Sequence, residues 1–137
     1  MPRRKTHKQR SALITLPGHS LLINDKEDNN LQNKILELLS TITGTTVGST
    51  LPDKFEPAFH PNHRSFFHSS VFGLIVIRFG LDALQNLKQY RDMRKVSGIE
   101  QVSLQELLNI FLVGVSVAYL DHLIVDGFTP NGLPLFQ

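Results

Sequence analysis

The stretch "SLQELLNIFLVGVSVAYLDHLIVDG", residues 103–127, decides the fold. Ser103 and Glu106 have the spacing of a capping box, in which the two side chains satisfy backbone N–H groups at the start of a helix. Apolar residues fill the segment from Leu107 to Leu120, and Gly127 can end it. The sequence therefore predicts one long helix over 103–127.

Two further helices are predicted upstream. The segment "NNLQNKILELLSTITG", residues 29–44, begins with asparagines that can cap a helix, and Gly44 can end it. Its apolar residues recur at the spacing of one helix face: Leu31, Ile35, Leu38, Leu39 and Ile42. A second helical pattern runs from Ser65 or Phe66 to about Lys95. No segment alternates like a strand, so we predict an all-α fold, a small helical bundle.

Residues 45–65 separate these two helices and contain three prolines without clean periodicity. A loop of this length in a compact small domain is usually functional or disordered. It contains the carboxylates Asp53 and Glu56, which favours function. We therefore predict one long functional loop.

The apolar stretches are short for membrane spans. Val71 to Ile77 is interrupted by Arg78, and the stretch that ends at Leu120 is followed by charged residues. Because a span needs about 20 apolar residues, we predict buried core helices, with membrane-surface attachment as the alternative. The apolar run at 12–16 is too short for a signal peptide, so we expect a cytoplasmic, peripheral or inner-membrane protein that is not secreted.

Charge is concentrated at the N-terminus. Five of the 14 Lys and Arg residues lie in the first ten positions, which leaves nine basic against twelve acidic side chains in the rest. We predict a disordered basic tail over 1–12 and a single helical domain over 13–137. The tail is a solubilising terminus in this interpretation, and contact with nucleic acid or anionic lipid is the weaker alternative.

Histidine supplies the most specific chemical signal. The chain has no cysteine, so any metal must be held by histidine and carboxylates. The segment "FHPNHRSFFHSS", residues 59–70, contains three of the six histidines, and His122 and Asp126 lie one helical turn apart. Each group alone has an ordinary interpretation, as a polar loop or a polar pair at a helix end. Together they favour a metal site assembled from facing helices.

Four segments carry a family resemblance: "PGHSLL" (17–22), "LPDKFEP" (51–57), "NHRSFFHSS" (62–70) and "AYLDHLIVDGFTPNGLPLF" (118–136). In this order they resemble the bacterial membrane-bound metal-dependent hydrolase family, typified by a small SOS-regulated inner-membrane protein. That family is similar, more distantly, to the all-helical zinc-dependent phospholipases C. Three positions depart from its motifs: Phe55 replaces an aspartate, Ser65 a glycine and Phe67 a threonine.

The resemblance implies a metal-dependent hydrolase of phosphoester-type bonds that uses a metal-activated water. The cofactor would be a divalent metal, Zn²⁺ first, with Mn²⁺ or Fe²⁺ as alternatives. The expected substrate is an anionic small molecule or lipid. Glu56 would position the water, and Arg64 would bind the anionic oxygens of the substrate. The implied ligands are His19, Asp53, His63, His68, His122 and Asp126, whereas His60 does not match the motif.

A rival hypothesis comes from a different functional class. The departures at 55, 65 and 67 favour a non-catalytic helical scaffold, or a membrane- or partner-binding protein whose metal site is structural or lost. Metal content and phosphodiester hydrolysis distinguish the two hypotheses.

Overall fold

The computed structural model describes residues 28–55 and 69–128. This part of the chain consists of three helices, α1 (Leu31–Phe55), α2 (Ser70–Val96) and α3 (Leu104–Gly127), and contains no strand. The predicted all-α helical bundle is therefore confirmed, whereas the likeness to phospholipases C is not. The predicted tail over 1–12 lies outside the described residues, and the single domain over 13–137 stays a prediction.

Helix α3 follows its prediction closely because local caps define both of its ends. The Ser103 hydroxyl accepts a hydrogen bond from the Glu106 N–H at 3.2 Å, and the Ser103 N–H donates to Glu106 Oε1 at 3.3 Å. These two bonds complete the predicted capping box. At the other end the helix stops at Gly127, as predicted.

Helix α2 begins later than predicted. Ser69 is its N-cap, with extended backbone angles and a side chain that accepts from the Phe72 N–H, so the first helical residue is Ser70. The predicted start at Ser65 or Phe66 lies outside the described residues. The helix ends at Val96, and Gly98 then adopts a φ of 67°, a left-handed conformation that glycine tolerates.

The predicted end of α1 at Gly44 is wrong, because this helix continues to Phe55 and includes Pro52. Half of the predicted long loop is therefore helical, and the remainder lies outside the described residues. Gly44 and Gly48 do not end the helix and instead pack against α3. A Cβ built at Gly44 would lie 2.3 Å from the carbonyl oxygen of Phe111 on α3. Such close approach of helix backbones is what the G-x-x-x-G pattern, here Gly44 and Gly48, permits.

Helix α3 lies between the other two and packs against both. A small apolar core of Ala83, Leu87, Ile110 and Val113 joins α2 to α3. In the first half of α2, nevertheless, only Gly73 and Ala83 are buried, and Leu74 and Phe79 are exposed. The prediction that the apolar stretches form buried core helices is therefore wrong for α2, because in the described structure only α3 packs along the apolar half of that helix.

Helix α1 has its polarity inverted relative to a helix of a water-soluble protein. The face turned towards α3 is small or polar and consists of Asn33, Glu37, Thr41, Gly44, Thr45, Gly48, Ser49 and Pro52. The predicted apolar face is exposed instead: Leu31, Ile35, Leu38, Leu39 and Ile42. A helix in water buries its apolar stripe against the core. The pattern in α1 is typical of helices packed in lipid, where small residues form the contacts between helices.

Candidate functional site

The candidate site lies at the end of the bundle where α1 and α3 end and α2 begins. His122 and Asp126 project one turn apart from the last part of α3, and each is only 4% exposed. Both side chains therefore face the interior of the bundle. Asp53, near the end of α1, is the third predicted ligand here, and its side chain is 56% exposed.

The imidazole of His122 has a different partner on each nitrogen. Nδ1 lies 2.9 Å from the carbonyl oxygen of Ser49, which can only accept a hydrogen bond, so Nδ1 carries a proton. Nε2 lies 3.3 Å from Asp126 Oδ2 and 3.5 Å from Asp53 Oδ1. Because both neighbours are carboxylates, positive charge at Nε2, as a proton or a bound cation, suits this position.

Aromatic and capping residues surround this cluster. Tyr119, one turn before His122 on α3, is buried and contacts Phe72 of α2 with ring centroids 5.6 Å apart. Ser69, the N-cap of α2, is completely buried at the same end. Ser49, the partner of Nδ1, was not predicted from the sequence, because residue 49 falls within the predicted loop.

Three of the six predicted metal ligands are thus brought together, and the other three, His19, His63 and His68, lie outside the described residues. Glu56, His60 and Arg64 lie outside them as well. Within 28–55 and 69–128, no group of three or more histidine, aspartate or glutamate side chains forms a site that could hold a metal ion. His122, Asp53 and Asp126 alone do not fit a complete metal centre, so the six-residue ligand set stays a prediction.

A second polar cluster, which was not predicted from the sequence, lies at the opposite end of the bundle. Arg94 of α2 contacts Glu106 of α3 through Nε at 3.0 Å, and its Nη2 lies 3.3 Å from Asp28, which precedes α1. Arg91 of α2 contacts Glu37 of α1 at 2.8 Å. All five side chains are largely buried, so this ion-pair cluster connects all three helices.

Asn33 extends this cluster to the connection between α2 and α3. Its side-chain amide donates to Asp28 at 2.8 Å and to the Glu100 carbonyl at 2.7 Å, and its oxygen accepts from the Val102 N–H at 3.1 Å. Burial raises the pKa of Asp28, but hydrogen bonds from Asn30 and Asn33 and the charge of Arg94 outweigh it. The pKa of this carboxyl therefore lies below its ordinary value.

Two of the described helices are long and apolar enough to cross a membrane by length and composition, α2 and α3. Only a small part of the apolar segment of α2 is buried, whereas half of that of α3 is buried and most of the rest is half-buried. The prediction that both apolar stretches are too short for a membrane span is therefore wrong. It counted each stretch only as far as its first charged residue, whereas a helix of this length can include a few charged side chains.

The family model described as YdjM inner membrane protein matches residues 3–137, nearly the whole chain. No curated protein matches the chain, and no solved structure does. The match supports a bacterial inner-membrane protein, which confirms that part of the predicted resemblance. It contains no support for hydrolase activity or for similarity to phospholipases C.

Proposed function

Because the chain belongs to the YdjM inner membrane protein family, we propose that it is an integral helical scaffold of the inner membrane. The observation that carries this proposal is the inverted polarity of α1. Its leucine and isoleucine side chains lie on the exposed face, and its small or polar residues pack against α3. The scaffold is non-catalytic in this proposal, and its outward faces contact lipid acyl chains.

The energetics of exposure support a lipid environment. Exposing a leucine or isoleucine side chain to water forgoes roughly 1.5–3 kcal/mol relative to burying it. The outward faces carry many such side chains, for example Leu31 and Leu39 on α1 and Leu74 and Phe79 on α2. In acyl chains the same side chains incur no such cost, since lipid tails are as apolar as leucine.

The polar groups of α1 are also arranged as a bilayer requires. On its exposed side, Thr43, Thr46 and Thr50 donate their hydroxyls to backbone carbonyls four residues earlier, at 2.7, 2.7 and 3.2 Å. A hydroxyl bonded to its own helix presents its methyl group outward and leaves no donor unsatisfied in lipid.

The lengths of the helices fit the bilayer. Helices α2 and α3 contain 27 and 24 residues, or about 40 and 36 Å, against a hydrocarbon core of about 30 Å. Arg78 on the apolar half of α2 is paired with Asp82, 3.2 Å away and one turn on. The pair is exposed on the outer side of the bundle, where pairing and the reach of the long arginine side chain towards the interface lower the cost of a charge in an apolar segment.

Spin labelling tests this proposal at the level of single faces, because the natural chain has no cysteine. Nitroxides on Leu39→Cys and Leu74→Cys should be accessible to oxygen, which partitions into lipid, and shielded from a water-soluble nickel chelate. Thr41→Cys, on the inward face of α1, should be shielded from both. Preferential collision of the outward labels with the nickel chelate in reconstituted bilayers would refute lipid contact.

The second candidate function is a metal-dependent hydrolase of phosphoester-type bonds, favoured by the meeting of His122 with Asp53 and Asp126. The predicted ligands His19, His63 and His68 would complete the set. A bound divalent metal supplies an acidified water and polarises the scissile group. Glu56 would hold the attacking water, and Arg64 would bind the anionic substrate oxygens.

Metal analysis and activity separate the two functions. The hydrolase hypothesis expects Zn²⁺, Mn²⁺ or Fe²⁺ in the purified protein, a lower melting temperature with EDTA and hydrolysis of a chromogenic phosphodiester. His122→Ala should abolish metal binding and turnover, whereas His60→Ala, a histidine outside the motif, should leave both intact. A protein free of metal and inert towards the phosphodiester supports the scaffold.

A further inference from the structure

We propose that α2 and α3 cross the inner membrane as a hairpin whose connection, residues 97–103, lies in the cytoplasm. The end that contains His122, Asp53 and Asp126 then lies at the periplasmic face. This inference rests on the proposed membrane embedding and adds the direction from which the His122 cluster is reached.

The distribution of basic residues along the hairpin carries the inference. Four of them, Lys88, Arg91, Arg94 and Lys95, occupy the last nine residues of α2. From residue 96 to 137 the chain contains no Lys or Arg at all. The basic residues of the hairpin thus gather at its closed end, and the end of α3 at the other side has none.

This asymmetry sets orientation in bacterial inner membranes. Loops that stay in the cytoplasm are enriched in Lys and Arg close to the ends of spans, and the rule counts these residues rather than net charge. The connection of seven residues is far too short to cross a bilayer, so both helix ends beside it lie on one side. The rule therefore places that side in the cytoplasm.

Helix α1 has no such asymmetry. It begins beside the connection, since Asn33 bonds to Glu100 and Val102, and Lys34 is exposed there. Within its described length the only other basic residue is Lys54, near its opposite end. With one lysine at each end, α1 favours neither orientation. The basic residues of the α2–α3 hairpin therefore determine the orientation.

Arg78 is the one basic residue in the other half of α2. It is paired with Asp82, and helical side chains point towards the N-terminus of their helix, which for α2 is the end near His122. Arg64 precedes α2 in the sequence, so two arginines, Arg64 and Arg78, oppose four basic residues at the closed end. The balance still favours a cytoplasmic connection.

The orientation assigns a different environment to each polar cluster. Lys88 and Lys95 are exposed at the closed end, where they can contact the anionic lipid headgroups of the cytoplasmic leaflet. The His122 cluster opens at the other face through the carboxylate of Asp53, the most exposed of its three members. A proton or cation would therefore reach Nε2 from the periplasm.

Thiol labelling of the full chain tests the orientation. Gln101→Cys lies in the connection, and Phe128→Cys lies just after α3 at a position that is 88% exposed. In intact spheroplasts a membrane-impermeant maleimide should label Phe128→Cys, whereas Gln101→Cys should react only after lysis. The reverse pattern would overturn the orientation and leave the membrane embedding intact. Equal labelling of both positions would show that the hairpin does not cross, which overturns the orientation as well.

A charge variant tests the cause. Replacing Lys88 and Lys95 with glutamine in the Gln101→Cys background removes the two exposed cations and keeps the Arg91 and Arg94 ion pairs. The labelled fraction of Gln101→Cys in intact spheroplasts should rise about twofold or more. Lys54→Gln, at the other end of the bundle, is the matched control and should not raise it. An unchanged fraction in the double variant would overturn the charge argument.

Discussion

Gly48 of α1 lies against Val115 of α3 so closely that a Cβ at position 48 would stand 2.2 Å from the Val115 carbonyl oxygen. Gly44 has the same relationship with Phe111, one turn earlier on each helix. Backbone contact of this kind leaves no room for a methyl group, because the obstacle is a carbonyl rather than a flexible side chain. The α1–α3 contact is therefore specified by two glycines and not by interlocking leucines.

Gly48→Ala should destabilise the bundle, although alanine favours an isolated helix by about 1 kcal/mol over glycine. The helices must separate to admit the methyl group, and overpacking costs about 1–3 kcal/mol. The melting temperature of the detergent-solubilised protein should fall. Thr46→Ala, on the exposed face of the same helix, is the control and should leave it within a degree or two. A Gly48→Ala protein as stable as the wild type would show that α1 and α3 are farther apart.

Arg94→Ala should be among the most destabilising single changes. It leaves Glu106, which is completely buried, and Asp28 without their shared cation. Removing one partner of a buried ion pair costs about 3–5 kcal/mol. Lys88→Ala, an exposed basic residue on the same helix, should cost less than about 0.5 kcal/mol. Equal losses in chemical denaturation would show that the ion pairs do not hold this end of the bundle.

Asp28→Asn should remove a stabilisation that depends on pH. Because the folded pKa of Asp28 lies below its usual 3.8, its ionised form stabilises the fold above that pH, and the effect is lost as pH falls through the folded pKa. At pH 7 the free energy of unfolding of the variant should be lower than that of the wild type by about 1–3 kcal/mol. The difference should vanish under strongly acidic conditions. A gap that widens on acidification would contradict the sign of the shift.

Asp126→Asn should cost more stability than Asp53→Asn. Both carboxylates approach Nε2 of His122, but Asp126 is almost completely buried whereas Asp53 is more than half exposed. Solvent screens the exposed pair, so its loss should cost less than about 1 kcal/mol, against about 1–3 kcal/mol for the buried one. Melting curves of the two variants at neutral pH measure the difference. If Asp53→Asn costs more stability, Asp53 and not Asp126 is the principal partner of His122.

The sequence predicted α3 to the residue at its end because its signals are local, a capping box at Ser103 and a terminal glycine at 127. The same logic failed at Gly44, where glycine serves a contact with Phe111 that no local pattern reveals. The G-x-x-x-G spacing at 44–48 was the available signal for a membrane helix contact. This spacing would have predicted that the glycines face α3 and that Leu31 and Leu39 are exposed.

The candidate site divides in the same way. The i, i+4 spacing of His122 and Asp126 fixes their shared face within one helix, so their meeting could be predicted. Ser49 and the Arg94–Glu106–Asp28 cluster depend on which helices are neighbours and at what register. Charge and periodicity do not determine register, and these contacts therefore appear only in the folded chain.

The most direct test of the central claim is extraction of membranes that contain the full chain with alkaline carbonate. An integral helical protein should stay in the pellet after carbonate and after high salt, and should be released only by detergent. If carbonate transfers the protein to the supernatant, the leucine and isoleucine side chains on the outward face of α1 do not contact lipid. The scaffold is then not embedded in the membrane.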